Sequence, residues 1–121
     1  MEALLSIKPE FASKIFDGSK RFEYRKNIFK QPVERVIVYA SAPISMVIGE
    51  FEIEELISEN LETLWEKTKE HSGISEDYFY SYFLNKKNGH AIRIGNTLKY
   101  EEPLALQKNF GVTPPQSYMY L

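Results

Sequence analysis

Residues 18 to 25 run Gly18-Ser19-Lys20-Arg21-Phe22-Glu23-Tyr24-Arg25, with four charged side chains in six positions. A lysine just after a glycine turn is a long cation able to reach over a sheet as a phosphate partner. Glu23 and Arg25 are two positions apart, so on a strand they share one face at roughly 6.8 Å spacing. Glu23 can then orient Arg25 or Lys20 and leave fixed donors for a phosphate or a base edge. The same spacing also fits a salt-bridged strand face with no ligand. Other chemistries are poorly supplied. Gly18-Ser19-Lys20 lacks the upstream glycine and spacing of a phosphate-binding loop, and with no cysteine there is neither a thiol nucleophile nor a disulfide. His71 and His90 stand apart without a second ligand at metal spacing. The carboxylates from Glu50 to Asp77 alternate along a strand and dot helix faces, the pattern of a solvated surface. The expectation is no metal and no cofactor.

The elements that must position the octet follow from periodicity. Leu4–Ile7 reads as a short strand, and Pro9 suits the first turn of a helix whose apolar face is Phe11, Ala12, Ile15 and Phe16 and which ends at Gly18. Residues 21–26 alternate as a strand, with Phe22 and Tyr24 on one side and Arg21, Glu23 and Arg25 on a wet or functional face. Arg35–Ala40 is nearly all apolar, as in a strand covered on both sides. Val47, Gly49, Phe51 and Ile53 alternate with Glu50, Glu52 and Glu54, and Gly49 marks a bulge or sharp bend. Asn60 and Ser75 cap two helices, the first carrying Leu61, Leu64, Trp65 and Thr68, the second Tyr78, Phe79, Tyr82 and Phe83. Ala91–Ile94 and Leu98–Tyr100 predict a hairpin turning at Gly95-Asn96, and the tail from Thr113 to Tyr118 reads as extended. The order β-α-β-β-β-α-α-β-β, with short strands, favours an α+β fold: a small antiparallel or mixed β-barrel with about three flanking helices.

At 121 residues, 43% of them hydrophobic, the chain suits one domain, 1–121, with a real core. The apolar run Val36–Ala40 is far short of the ~20 residues of a membrane span, and Met1–Pro9 lacks the basic start of a signal peptide. A cytoplasmic location and no membrane partner are expected. Net charge is −2, which argues against a nucleic-acid partner, but residues 1–36 hold eight basic against five acidic side chains, and the remainder seven against twelve. Over a Debye length of ~8 Å that local excess matters more than the sum.

Gly18-x-Lys20-x-x-Glu23-x-Arg25, with a helix just upstream and a strand ending in Tyr39-Ala40-Ser41-Ala42-Pro43, resembles the ASCH domain family of the PUA-like β-barrels. The resemblance extends from Leu5-Ser6-Ile7-Lys8-Pro9 through Ile48-Gly49-Glu50-Phe51 to Ala91-Ile92-Arg93-Ile94-Gly95. It implies a cleft between barrel and helices that takes RNA or a nucleotide-like ligand, with DNA as a further candidate. Some small members resembling this chain hydrolyse the acetyl amide of N4-acetylcytidine with the motif's lysine, and others are ribonucleases. Lys20 carries over as a base. The amidohydrolases' threonine does not, because Glu23 stands there, and a carboxylate paired with Lys20 is expected to raise its pKa and blunt it. The helix-turn-helix that some ASCH regulators carry is not evident.

Three readings follow. In the first, a regulatory binding module holds RNA with Lys8, Lys20, Arg21, Glu23, Arg25, Tyr39 and Ser41, helped by Lys26 and a tyrosine from 78–82 as a stacking face. In the second, a small hydrolase of modified nucleosides or RNA uses Lys20 with Glu23 or Ser41. In the third, the basic face docks an acidic protein.

Overall fold

The computed structural model describes residues 1–121. The strands are β1 (Glu2–Ile7), β2 (Phe22–Arg25), β3 (Arg35–Ala40), β4 (Met46–Asn60), β5 (Asn88–Leu104) and β6 (Tyr118–Tyr120). The helices are α1 (Pro9–Asp17), α2 (Leu61–Thr68), α3 (Glu76–Tyr82) and α4 (Leu106–Phe110), with a single 3₁₀ turn at Lys69–His71. The strands form one mixed half-barrel sheet in the order β2-β5-β4-β3-β1-β6. All neighbours are antiparallel except β1 and β3, which run parallel with Leu5 opposite Val38 and Ile7 opposite Ala40. No helix is long and apolar enough to cross a membrane.

The local signals explain most of these elements. Pro9 opens α1, and Gly18 closes it in the left-handed region at φ +87°, the conformation glycine adopts without a Cβ penalty. Asn60 and Ser75 accept from Thr63 N–H at 2.9 Å and Tyr78 N–H at 3.1 Å, capping α2 and α3. β3 is covered on both faces. Val36 and Val38 pack with Leu5, Ile15 and Phe51, while Ile37 and Tyr39 pack with Leu4, Val47 and Leu106. The second cover is α4, which the periodicity did not announce.

Gly49 sits where the β3–β4 and β4–β5 registers shift. A Cβ there would meet the Phe16 ring at 2.5 Å and Leu98 O at 2.6 Å, so the glycine admits close approach at the bend. The hairpin expected at Gly95-Asn96 does not form: β5 runs unbroken from Asn88 to Leu104 along β4. Gly95 instead sits opposite a register shift, between the pairs Ile53–Ile94 and Phe51–Thr97, where a Cβ would lie 3.1 Å from Glu52 O. The long β4–β5 ladder outcompetes a two-residue turn. Its far end, Asn60 opposite Asn88, carries α2 and α3 as an insertion. The sixth strand comes from the tail, where β6 pairs with β1.

Candidate functional site

Lys20 follows the turn after α1. Its backbone N–H donates to Lys14 O at 3.0 Å and that of Arg21 to His71 O at 2.8 Å, tying the segment between α1 and the turn that precedes α3. The Lys20 side chain points inward and is 2% exposed. Nζ donates to Ser72 O at 2.7 Å and lies 4.9 Å from the ring centre of Tyr24 and 5.2 Å from that of Phe11. Loss of hydration is the largest influence on this ammonium and brings its pKa down from 10.5 to about 8. The Glu23 charge pulls the other way, and Lys14 and Arg25 add to the lowering.

This corrects the expectation that Glu23 neutralises Lys20. Glu23 Oε2 lies 2.9 Å from Arg25 Nη2, and both side chains are almost wholly buried. The strand face expected to be wet or functional is buried at Glu23 and Arg25 and exposed at Arg21. The carboxylate therefore serves the guanidinium, and the lysine is left with a carbonyl and two aromatic rings.

Arg25 spans the open side of the half-barrel. It lies on the edge strand β2, yet Nη2 donates to Ser6 O of β1 at 3.0 Å and Nη1 to Ser117 Oγ at 3.2 Å, just before β6. Its Nε is buried without a partner. The tail is tied to the same place, with Ser6 Oγ donating to Pro115 O at 2.7 Å.

A cleft of about 500 Å³ opens over these groups. Lys20, Glu23, Tyr24 and Arg25 are its most buried charged and aromatic lining residues. Ser6, Lys8 and Phe11 contribute from β1 and α1, Lys26 and Asn27 from beyond β2, Tyr78 and Tyr82 from α3, and Gln116 and Ser117 from the tail. Tyr78 meets Phe11 edge-on at 5.3 Å between ring centres and accepts a hydrogen bond from Lys8 Nζ at 3.2 Å. Lys26 Nζ lies 4.8 Å from the ring centre of Tyr82, whose hydroxyl pKa burial raises, so that it keeps its proton. The cleft thus offers four cations, one carboxylate already engaged by Arg25, and phenol rings at its sides.

Of the residues singled out from sequence, the structure brings Lys8, Lys20, Glu23, Arg25 and Ser41 together around the cleft, with Tyr24 and Lys26. Arg21 is exposed and does not line it, and Tyr39 is buried in the cluster with Leu4, Ile37 and Leu106. Sequence reasoning missed Ser6, Asn27, Ile74, Gln116 and Ser117. Apart from Ile74, a loop residue, these are small or polar residues in a strand end, a loop and the tail, with no periodic signal. No three His, Asp or Glu side chains converge as a metal site would require.

A mixed half-barrel with a cationic cleft at its open side defines a class of small cleft-bearing domains, and Lys20, Glu23 and Arg25 of the Gly-x-Lys-x-x-Glu-x-Arg motif line that cleft. Residues 5–103 match the ASCH domain, and the chain belongs to that family. An ASCH domain-containing ribonuclease of Zymomonas mobilis is 29% identical over 126 residues, covering 99% of this chain and 84% of that one. The crystal structure of the ASCH protein from Zymomonas mobilis superposes with a TM-score of 0.91 at 29% identity, over 99% of this chain and 87% of the other. The chain is also 32% identical over 119 residues to the ATP synthase subunit alpha of Ureaplasma parvum, and 29% identical to the large ribosomal subunit protein uL22 of that species. It spans 98% of itself in both matches but only 15% and 38% of those proteins.

Proposed function

We propose that this chain is an RNA hydrolase whose cleft takes one phosphodiester and its neighbouring base, with Lys20 as the proton acceptor. The observation that carries the reading is the desolvated Lys20 amine beside three further cations. A pKa brought down to about 8 leaves a useful neutral fraction near neutral pH, where an ordinary lysine has almost none. The ribonuclease named among its relatives supports the substrate class.

The chemistry balances with water as the one further reactant. Neutral Lys20 takes the proton of the ribose 2′-hydroxyl as that oxygen attacks phosphorus. The phosphorane's negative charge falls among Arg25, Lys8 and Lys26. The bond to the 5′-oxygen breaks, and the Tyr82 hydroxyl, which holds its proton, supplies it to the leaving oxygen. The products of this step are a 2′,3′-cyclic phosphate and a 5′-hydroxyl; water then opens the cyclic phosphate, giving a proton to the Tyr82 phenolate while Lys20 returns one to the 2′-oxygen, which completes the hydrolysis and restores both groups. Tyr78 or Tyr82 offers a face to the neighbouring base.

The test is cleavage of a labelled single-stranded RNA by wild type and Lys20→Met across pH 5.5–9.5. Cleavage is expected to rise with pH, to be half-maximal near pH 8 and to level off above it, because the acceptor must be deprotonated. Lys20→Met is expected to lose about 10²–10⁴-fold, and a 2′-deoxy residue at the cut site to block the cut. Equal cleavage by Lys20→Met, or undiminished cleavage at the 2′-deoxy position, refutes the mechanism. Binding without cleavage favours the module reading, in which the same cations hold RNA and Lys20 only donates.

A further inference from the structure

We infer that the turn formed by Ser72 and Gly73, between α2 and α3, is the positioning device of Lys20, with Ser72 and Gly73 as positioning residues for the cleft amine. The inference rests on the hydrolase reading for its catalytic meaning, but its geometry stands apart from it.

Two contacts make the turn a clasp. Ser72 O is the hydrogen-bond acceptor of Lys20 Nζ, at 2.7 Å. Gly73, at φ +71°, lies against the aliphatic stem, where a Cβ would come within 2.6 Å of Lys20 Cβ and Cγ and 2.9 Å of Cδ. The backbone at 73 therefore occupies the space that would let the stem lie elsewhere, and only glycine satisfies both the packing and the φ. The turn is in turn anchored. The Ser72 side chain is buried, Oγ donates to Ile74 O at 2.8 Å and accepts from Ile74 N–H at 3.3 Å, and Lys14 Nζ donates to Gly73 O at 3.1 Å. Ile74 then continues into the cleft lining. Lys20 is thus held from α1, β2 and this turn together. The titratable or charged groups acting on it are Lys14 from α1 and Glu23, Tyr24 and Arg25 from β2, with Lys8, Lys26, Tyr78 and Tyr82 around the same cleft.

The clasp makes two opposite demands on the amine. The carbonyl of Ser72 favours the ammonium, and the enclosure favours the neutral amine. Loosening the carbonyl and opening the enclosure must therefore move the Lys20 pKa in opposite directions. Ser72→Ala removes both bonds to Ile74, frees the carbonyl and leaves the enclosure unopposed. Gly73→Ala pushes the stem away from the turn toward cleft water.

The experiment reads Lys20 itself. Trace acetylation of the full chain with acetic anhydride, followed by peptide mass spectrometry, gives the pH dependence of labelling at Lys20 with no RNA present. The melting transition of each variant confirms that it is folded. Ser72→Ala is expected to move the Lys20 labelling midpoint down by about half a pH unit and Gly73→Ala to move it up by about as much. Where wild type cleaves RNA, the rising limb of each rate profile is expected to follow its labelling midpoint. If Gly73→Ala is too strained to fold, Ser72→Ala alone decides. A folded Ser72→Ala with the wild-type midpoint overturns the inference. Opposite shifts in labelling with no RNA cleavage by any form, wild type included, uphold the clasp and overturn the hydrolase reading. Cleavage that depends on Lys20 while the midpoints stay fixed does the reverse.

Discussion

At the scale of single residues, Lys20 is a cost that the fold accepts. Its ammonium is enclosed with one carbonyl acceptor, and its pKa in the folded chain, about 8, lies below the 10.5 of an exposed lysine. The sign follows from proton counting. Between about pH 8 and 10.5 the unfolded chain binds more protons at this residue than the folded one, so unfolding free energy rises with pH. The rise amounts to on the order of 3 kcal/mol if the whole shift is expressed. Tyr24 acts in the opposite direction at higher pH. Burial raises its pKa to about 12, so the folded chain keeps a proton that the unfolded chain loses above about pH 10, and stability falls there. Urea titrations from pH 7 to 11.5 are expected to show a maximum near pH 10, and Lys20→Met to be more stable than wild type at pH 7 and to lack the rise. A wild-type curve that is flat from pH 7 to 10, or parallel to that of Lys20→Met, contradicts this account. The octet showed in the sequence that Lys20, Glu23 and Arg25 belong together. Which charge pairs with which was not legible. Pairing depends on Arg25 being within reach of Ser6 and Ser117, residues 19 and 92 positions away.

Among elements, the informative place is the seam where Arg25 of β2 reaches β1 and the tail across the open side of the half-barrel. The sheet itself does not close, because β2 and β6 are its edges. Arg25 supplies the link by side chain, and loop residues add to it, with Lys30 and Gln31 N–H both donating to Tyr120 Oη at 2.8 and 3.2 Å. Removing the guanidinium leaves the buried Glu23 carboxylate unpaired and Ser6 O without its donor. Arg25→Ala is expected to lose about 3–5 kcal/mol in urea denaturation. Arg25→Ala combined with Glu23→Ala is expected to lose less than the two single changes together, since the second change removes the stranded charge. Additive losses, or a loss below about 1 kcal/mol for Arg25→Ala, exclude the seam. Strands and helices with strong local signals, such as α1, β3 and the capped α2 and α3, were readable before any coordinates. The hairpin at Gly95-Asn96 was misread because turn chemistry is local, whereas the ladder that overrides it joins residues of β4 some forty positions away. α4 and β6 carry too few residues for periodicity to show, yet α4 covers the back of β3 and β6 pairs with β1.

For the whole molecule, the first and last strands lie side by side. β6 runs antiparallel to β1 with Ala3 opposite Tyr120, and Leu121 N–H donates to Glu2 O at 2.9 Å. Paired strands of this kind hold their backbones about 5 Å apart, so a few residues suffice to join residue 121 to residue 1. Such geometry suits a domain that can be carried within a longer chain, consistent with a match that covers only 15% and 38% of two of its relatives. It also makes a strict prediction about where connectivity matters. The segment from Leu84 to Lys87 is exposed and joins α3 to the β4–β5 ladder. A circular permutant with Leu121 joined to Met1 by four glycine and serine residues, and opened between Asn85 and Lys86, cuts neither a strand nor the Lys20–Ser72 contact. It is expected to fold, to stay within about 2 kcal/mol of the parent chain because closing a short loop costs little entropy, and to retain the Lys20 labelling midpoint. A permutant that unfolds, or that folds with Lys20 titrating as an exposed lysine, shows that the cleft depends on the order of the chain and not on the pairing of β1 with β6.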